Sequence, residues 1–182
     1  MLTQMQAARQ GIITEAMQIV AAKENLPAET IRAGVAEGTI AICANPNHKN
    51  LIPRGVGKGL TTKVNANIGT SSSYPDPQPE LLKLAAAIEA GADAVMDLST
   101  GDNIEASRRA IIEASTVMVG TVPIYQATVE AIKKHGAVVH MTKEDLFDVI
   151  EQQAKDGADF MTIHCGINRN VLKALLAEGR VM

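Results

Sequence analysis

The sequence has no Trp and only two Tyr and two Phe among its 182 residues. It also has no excess of positive charge, because 17 Lys and Arg are balanced by 20 Asp and Glu, for a formal net charge of -3. A protein of this composition has few rings to stack on bases and little charge to neutralise a phosphate backbone. The composition therefore predicts that nucleic acid is not a partner.

Long hydrophobic runs are missing as well. No segment approaches the roughly 20 consecutive apolar residues that span a bilayer, and residues 1–10 lack the basic and apolar regions of a secretory signal. We therefore expect no membrane partner and a cytoplasmic location. Hydrophobic residues still make up 46% of the sequence, which is typical of a globular protein that buries a core.

Cysteine is scarce, and its placement excludes a disulfide framework. Cys43 and Cys165 are far apart and neither belongs to a Cys-x-x-Cys pair, so we expect both to be small buried hydrophobic residues. The histidines also lack the i, i+4 spacing of a helical metal site, so no metal is expected to be held within this chain. They are His48, His135, His140 and His164.

The glycine-rich run Arg54-Gly-Val-Gly-Lys-Gly59 has the appearance of a phosphate loop. A Walker motif, however, needs Gly at the position of Ile52 and Ser or Thr at the position of Gly59. We therefore interpret residues 45–62 as a flexible loop, which is also indicated by their dense turn-forming residues.

Apolar residues spaced three and four apart predict an amphipathic helix over residues 4–24. Pro27 and Gly38 bound a second helix over 28–37, and residues 39–44 are predicted to form a short strand. We interpret residues 1–44 as an N-terminal helical segment with a short strand. Residues 45–182 are then a separate catalytic unit.

Beyond residue 62, short apolar runs alternate with alanine-rich helical segments, which is typical of βα units and a parallel sheet. The predicted strands cover residues 63–68, 94–98, 117–124 and 160–164. The predicted helices cover 79–90, 103–114, 124–135 and 143–156, the last capped by Thr142 with Asp145 three residues on. The chain is therefore predicted to belong to the α/β class.

An internal repeat indicates which α/β fold this is. The segments 90–96 and 156–161 share a glycine followed by Ala-Asp and an apolar strand, and Gly91 and Gly157 are 66 residues apart. That distance is about two βα units, which favours a (β/α)8 TIM-barrel-like architecture. With four strands, and residues 180–182 interpreted as the start of a fifth, the chain is predicted to hold about the first half of the barrel.

Each predicted strand finishes on or near a polar or reactive residue, and a barrel builds its active site at these C-terminal strand ends. Taken singly, such a residue could be a turn former, a core residue, a strand cap or a half-buried imidazole. Four neighbouring strands with the same pattern favour a shared site instead. The candidate site residues are Asn67, Met96, Tyr125 and His164.

Four of these segments, preceded by residues 57–62, closely resemble the phosphomethylpyrimidine synthase family of thiamine biosynthesis. They are Lys63–Ser71, Ala94–Asp102, Gly120–Ala127 and Asp159–Gly166. The resemblance covers essentially the whole chain. It implies a radical S-adenosylmethionine lyase that converts 5-aminoimidazole ribotide into hydroxymethylpyrimidine phosphate, with release of formate and carbon monoxide. By matching motifs, Asn67, Met96, Tyr125 and His164 are the positions expected to contact the ribotide.

The family pattern also contains parts that this sequence lacks. These are a Ser-Arg-Gly phosphate segment, two histidines for a divalent metal (zinc or iron), and a three-cysteine motif for the [4Fe-4S] cluster that reduces S-adenosylmethionine. No residue of this chain is therefore assigned to catalysis or to a metal, and the chain alone is expected to be inactive.

Three alternatives stay open at this stage. The first is the hydroxybenzimidazole synthase branch, which resembles this family and supplies the lower ligand of cobamides. The second is a non-catalytic half-barrel module that closes by self-association, consistent with an expected homodimer. The third is an unrelated barrel enzyme such as an aldolase, although its Schiff-base lysine is missing from the strand ends, since Lys63 lies at a strand start.

Overall fold

A computed structural model describes residues 2–179 of the chain. Within this range the α-helices are α1 Gln4–Arg9, α2 Glu15–Glu24, α3 Ala28–Glu37, α4 Gln78–Glu89, α5 Ile104–Ala114, α6 Pro123–His135, α7 Lys143–Asp156 and α8 Arg169–Glu178. The strands are β1 Ile40–Cys43, β2 Arg54–Gly57, β3 Asn65–Ile68, β4 Ala94–Asp97, β5 Met118–Thr121 and β6 Phe160–Met161. None of the helices in residues 2–179 is long and apolar enough to cross a membrane.

Four strands form a parallel sheet in the order β3-β4-β5-β6. Strands β3, β4 and β5 pair in full, so that Ile68, Asp97 and Thr121 lie at corresponding positions of neighbouring strands. Strand β6 pairs with β5 through Phe160 and Met161 only. The α/β class and the parallel strand order are thus confirmed. That the sheet is half of a (β/α)8 barrel stays a prediction.

One hydrophobic core lies between the sheet and helices α4 and α5. Alternate residues of each strand point toward these helices, and the core includes Ile68, Leu84, Val95, Ile111, Ile112, Val117 and Val119. The opposite face of the sheet is more open, because Asn65 and Asn67 of β3 are exposed. One face of the sheet is therefore packed, and the other is accessible along β3.

The predicted single helix over residues 4–24 is wrong, because the chain turns at Gly11. Helix α1 ends at Arg9, and Gly11 has a φ of 78°, a conformation that glycine adopts without steric cost. Thr14 then accepts a hydrogen bond from the Met17 amide and caps α2. The apolar spacing continues across the break, since both helices pack against the same core.

The predicted loop over residues 45–62 is wrong in part, because residues 54–57 form β2. This strand pairs antiparallel with β1, with Ile40 opposite Gly57 and Cys43 opposite Arg54. A Cβ at Gly57 would lie 2.2 Å from the Thr39 carbonyl oxygen, so glycine permits this close pairing. The predicted boundary between the two units, at residue 44, lies in the connection between β1 and β2. The division of the chain into two units there stays a prediction.

The ends of the last two predicted strands also differ from the structure. Pro123 opens α6, so β5 ends at Thr121, and the backbone after Met161 leaves the ladder before residue 164. Helix α8 was not predicted, and residues 180–182, the expected start of a fifth strand, lie outside the described range. Both cysteines were expected to be buried, but Cys43 is half-buried and Cys165 is exposed.

The repeated Gly-Ala-Asp segment has the same structural role in both copies. Gly91 and Gly157 end their helices with positive φ angles of 89° and 111°. Asp93 then accepts a hydrogen bond from the Val64 amide at 3.0 Å. Asp159 accepts one from the Val119 amide at 2.8 Å. Each aspartate therefore ties the start of its own strand to the neighbouring strand.

Candidate functional site

Asn67 and Met96 are neighbours across the β3–β4 ladder. Asn67 is exposed and Met96 is half-buried, and both lie on the face of the sheet that α4 and α5 do not cover. The side-chain Nδ2 of Asn65 donates a hydrogen bond to Asn67 Oδ1 at 2.9 Å. The NH2 group of Asn67 is then the part of its side chain that can donate to a ligand. A polar amide and a thioether therefore stand side by side near the C-terminal edge of the sheet.

Tyr125 and His164 form the other half of the predicted set. Tyr125 is the third residue of α6, and His164 lies in the segment between β6 and α8. Their ring centroids are 6.2 Å apart, with the ring planes inclined at 39°, which is within the range of interacting aromatic pairs. His164 is exposed and Tyr125 is half-buried, so the pair is partly accessible to solvent.

Thr162 connects the two pairs, and sequence reasoning missed it. Its hydroxyl donates to Met96 Sδ at 3.9 Å, a weak hydrogen bond to a weak acceptor. Its amide donates to the Thr121 carbonyl at 2.9 Å, which extends the pairing of β6 with β5 by one residue. His164 follows two residues later. The available signal was its position in the apolar run before His164.

Gly120 and Phe160 form the floor of the site between Met96 and β6. Gly120 is paired with Met96 on one side and with Phe160 on the other. A Cβ at Gly120 would lie 2.3 Å from the Phe160 ring, a distance that real Cβ atoms do not tolerate. The ring therefore lies directly over the glycine, which explains why a glycine interrupts the apolar residues of β5.

The loops that follow β3 and β4 hold each other in place at the same edge. The Thr70 amide donates to Ser99 Oγ at 3.0 Å, and a Cβ at Gly69 would lie 2.6 Å from the Ser99 amide nitrogen. The Gly69 amide donates to the buried carboxylate of Glu80 at 2.6 Å. This packing fixes the backbone beside Asn67 and Met96.

Asp97 ends β4 directly after Met96 and is buried. Burial raises the pKa of its carboxyl above 3.8, although hydrogen bonds from the Ser99 hydroxyl and amide oppose this shift. Both bonds go to Oδ1, at 2.5 and 3.0 Å. The Asp97 side chain points away from the accessible face and toward the helices. Its bonds to Ser99 therefore hold the loop after β4 from the helix side of the sheet.

Comparison with known proteins identifies the family. The model of the Radical SAM ThiC family matches residues 3–182. The phosphomethylpyrimidine synthase of Thermoanaerobacter sp. (strain X514) is 58% identical over 181 residues, which cover 100% of this chain and 42% of that protein. The synthases of Desulforamulus reducens and Moorella thermoacetica are 58% and 56% identical over 180 residues, covering 99% of the chain and 42% of each relative.

The chain belongs to the Radical SAM ThiC family. The resemblance inferred from the motifs around Asn67, Met96, Tyr125 and His164 is thereby confirmed. The chain spans about 42% of the length of the curated relatives that it matches. These relatives are named phosphomethylpyrimidine synthase, which does not favour the hydroxybenzimidazole synthase branch or an aldolase.

The ThiC family is named for radical S-adenosylmethionine chemistry, which depends on an iron–sulfur cluster. Within residues 2–179 no group of three or more His, Cys, Asp or Glu is arranged to hold a metal ion. Cys43 lies on β1 and Cys165 follows β6, whereas a [4Fe-4S] cluster is held by several cysteine thiolates together. The described residues therefore do not fit an iron–sulfur cluster.

The other histidines of this ThiC chain have structural partners away from the site. His48 is buried and bonded to Asp159, and His135 bonds to Asp145 at the start of α7. His140 is exposed and lies 3.3 Å from the His135 carbonyl oxygen. Of the four histidines, therefore, His164 is the one that lies beside another candidate site residue.

Proposed function

We propose that this chain provides part of the substrate pocket of a phosphomethylpyrimidine synthase, a lyase that converts 5-aminoimidazole ribotide into hydroxymethylpyrimidine phosphate in thiamine biosynthesis. The observation that carries the proposal is the grouping at one sheet edge. Asn67 and Met96 are ladder neighbours, Thr162 links Met96 to the end of β6, and Tyr125 faces His164.

The four side chains match the chemistry of an imidazole ribotide. The Asn67 NH2 group would donate to an acceptor of the ligand, because its Oδ1 is already bonded to Asn65. Met96 offers a polarizable thioether that packs against an aromatic ring. Tyr125 adds a ring face and a hydroxyl, and His164 adds ring nitrogens for a ribose hydroxyl or phosphate oxygen.

The barrel geometry is the second part of the proposal. The parallel order β3-β4-β5-β6 and the accessible face beyond Asn67 are what the first half of a (β/α)8 barrel would present. In this arrangement the candidate residues line the inside of the barrel mouth. Exposed apolar residues on α8, such as Leu172 and Leu176, support a covering partner, and we propose a second copy of the chain.

Radical initiation is not assigned to these residues. For the full-length enzyme, the family name supports S-adenosylmethionine and a [4Fe-4S] cluster, and the resemblance of the motifs adds a divalent metal. In this chain Cys43 and Cys165 lie on different parts of the fold. We therefore expect the 182-residue chain, assayed anaerobically with S-adenosylmethionine and a reductant, to form no 5'-deoxyadenosine.

The proposed pocket is tested by calorimetric titration of the chain with 5-aminoimidazole ribotide. Removing a packing ring or side chain of the pocket, as in Tyr125→Ala or Met96→Ala, should weaken binding about 10-fold or more, which corresponds to about 1.4 kcal/mol. Val139→Ala is the control, because Val139 is 83% exposed and lies between α6 and α7, away from the C-terminal ends of the strands. Equal affinities for all three variants and the parent chain would refute the proposed pocket.

A further inference from the structure

A small cavity lies behind the C-terminal ends of β4 and β5, between the sheet and helices α5, α6 and α7. Its volume is about 10 Å³, which is the space that one water molecule needs. Most of its lining is polar, which is unusual so deep in the fold. The lining residues are Asp97, Ser99, Ile104, Arg108, Thr121, Val122, Gln126 and Gln153.

Two oxygen atoms of this lining have no hydrogen-bond partner among the described residues. They are Thr121 Oγ1 and Gln153 Oε1, and each side chain belongs to a residue that is only 2% exposed. A buried polar atom without a partner costs roughly 1–3 kcal/mol. Both atoms belong to residues that line the same cavity.

The orientation of the Gln153 amide is fixed by its neighbours. Arg108 donates to Gln126 Oε1 at 2.7 Å, and Gln126 Nε2 donates to the Glu130 carboxylate at 2.6 Å, so the Gln126 amide cannot be reversed. Gln153 must then present Nε2 to Gln126 Oε1, at 2.9 Å. Its own Oε1 is consequently directed elsewhere and requires a donor.

We propose that one water molecule is bound in this cavity, donating a hydrogen bond to Gln153 Oε1 and accepting one from Thr121 Oγ1. The lining carries one acidic and one basic side chain, Asp97 and Arg108, so it has no excess of negative charge to attract a cation, and a cation would be repelled by the nearby guanidinium. Water is also favoured over a larger ligand, because the cavity volume of about 10 Å³ has room for no more than one water molecule. The two bonds would use the donor and acceptor capacity of the water in the usual way for buried sites.

The position of the water gives it a structural role at the candidate site. Asp97 follows Met96 directly, and Gln126 follows Tyr125 directly. Thr121 lies at the end of β5, and Gln153 belongs to α7. The water would therefore join β5 to α7 close to Met96 and Tyr125 of the proposed pocket. This role does not depend on which ligand binds there.

The direct test is a crystal structure of the 182-residue chain at a resolution that defines ordered water. We expect density for one water at about 2.7–3.2 Å from both Thr121 Oγ1 and Gln153 Oε1. A cavity without such density, or one in which the two side chains bond to each other, would overturn the inference.

A stability measurement gives an independent answer with a predicted sign. Thr121→Val should lower the urea midpoint of unfolding, because the water loses a partner, while Thr121→Ser keeps the hydroxyl and should retain the midpoint more closely. Without a water, Thr121→Val would remove an unpaired hydroxyl and raise the midpoint, which would contradict the inference. Ser107→Ala is the matched control. The Ser107 hydroxyl is buried and unpartnered within the described residues but does not line the cavity, so its midpoint should stay the same or rise.

Discussion

The imidazole of His48 is bonded to the carboxylate of Asp159, with Nδ1 and Oδ2 2.7 Å apart and both side chains inaccessible to solvent. The other ring nitrogen, Nε2, lies 2.9 Å from the Ser115 carbonyl oxygen. A carboxylate and a carbonyl only accept hydrogen bonds, so both ring nitrogens must donate. His48 is therefore held as the charged imidazolium, and it anchors the loop before β2 to the start of β6.

This ion pair predicts a specific pH dependence of stability. Burial alone would lower the pKa of His48, but the bonds to Asp159 and Ser115 outweigh it and leave the pKa above 6.5. Since the folded state then binds the proton more tightly, the stabilisation is complete below 6.5 and is lost as pH rises through the folded pKa. The free energy of unfolding, from urea titrations at a series of pH values, should fall across that interval.

The His48→Gln variant is the control for that titration. It lacks the proton in question, while Asp97, whose pKa is also raised, contributes equally to both proteins. The difference in unfolding free energy between the parent chain and the variant should therefore shrink as the pH increases above 6.5. A difference that stays constant with pH would show that His48 is not charged in the folded protein.

Gly120→Ala should destabilise the sheet, because the new Cβ would lie 2.3 Å from the Phe160 ring. Overpacking of this kind costs about 1–3 kcal/mol, and Phe160→Leu in the same chain should recover part of the loss. Gly166→Ala is the control, since nothing lies within 4 Å of a Cβ there, and we expect a change within about 0.5 kcal/mol. Equal effects of the two glycine substitutions in chemical denaturation would contradict the packing described for Phe160.

Arg108→Met should be much more damaging than the same change at the neighbouring Arg109. Both arginines bond to Asp156, but the Arg108 side chain is 1% exposed and that of Arg109 is 59% exposed. Asp156 keeps its bond to Arg109 when Arg108 is replaced, but the buried ion pair and the hydrogen bond from Arg108 to Gln126 Oε1 are lost. We expect this loss to cost about 3 kcal/mol, whereas an exposed pair is worth about 0–1 kcal/mol. Thermal and urea unfolding of the two variants would measure this contrast, and similar losses would argue against it.

The exposed apolar residues of helix α8 lead us to expect self-association of the chain. None of its described residues is buried, and Leu172 and Leu176, one turn apart on the same side, are 52% and 75% exposed. Replacing both by Gln should shift sedimentation-velocity profiles toward the monomer. Leu82→Gln on α4 is the control, because Leu82 is also exposed, at 73%. A parent chain that sediments as a monomer at all concentrations would contradict this prediction.

Much of the fold could be predicted from local patterns. The alternation of apolar runs and helical segments indicated β3, β4 and the helices between them, and Thr142 with Asp145 marked the start of α7, where the capping box is present. The break at Gly11 was missed because α1 and α2 bury residues against one core, so the apolar spacing runs through the turn. Strand β2 was missed because its glycines read as loop, although they permit close pairing with β1.

The candidate site was predictable in position but not in its contacts. The polar residues near the strand ends indicated the C-terminal edge of the sheet. At this edge the structure brings Asn67 beside Met96 and Tyr125 beside His164. The contacts of Thr162 with Met96 and of Phe160 with Gly120 depend on pairing between distant strands. A pattern within one strand carries no information about such pairing. The same holds for His48 and Asp159, which are 111 residues apart. The roles of the four site residues in ligand binding stay predictions.

The central claim, that Met96 lies in a ribotide pocket, is tested most directly by NMR of the chain labelled with ¹³C at its methionine methyl groups. Addition of 5-aminoimidazole ribotide should shift the Met96 signal in a saturable way, while Met17, fully buried in the N-terminal core, should not move. Ribose 5-phosphate, which lacks the imidazole ring, should shift Met96 far less. An unchanged Met96 signal at saturating ribotide, or equal shifts of Met96 and Met17, would contradict the account.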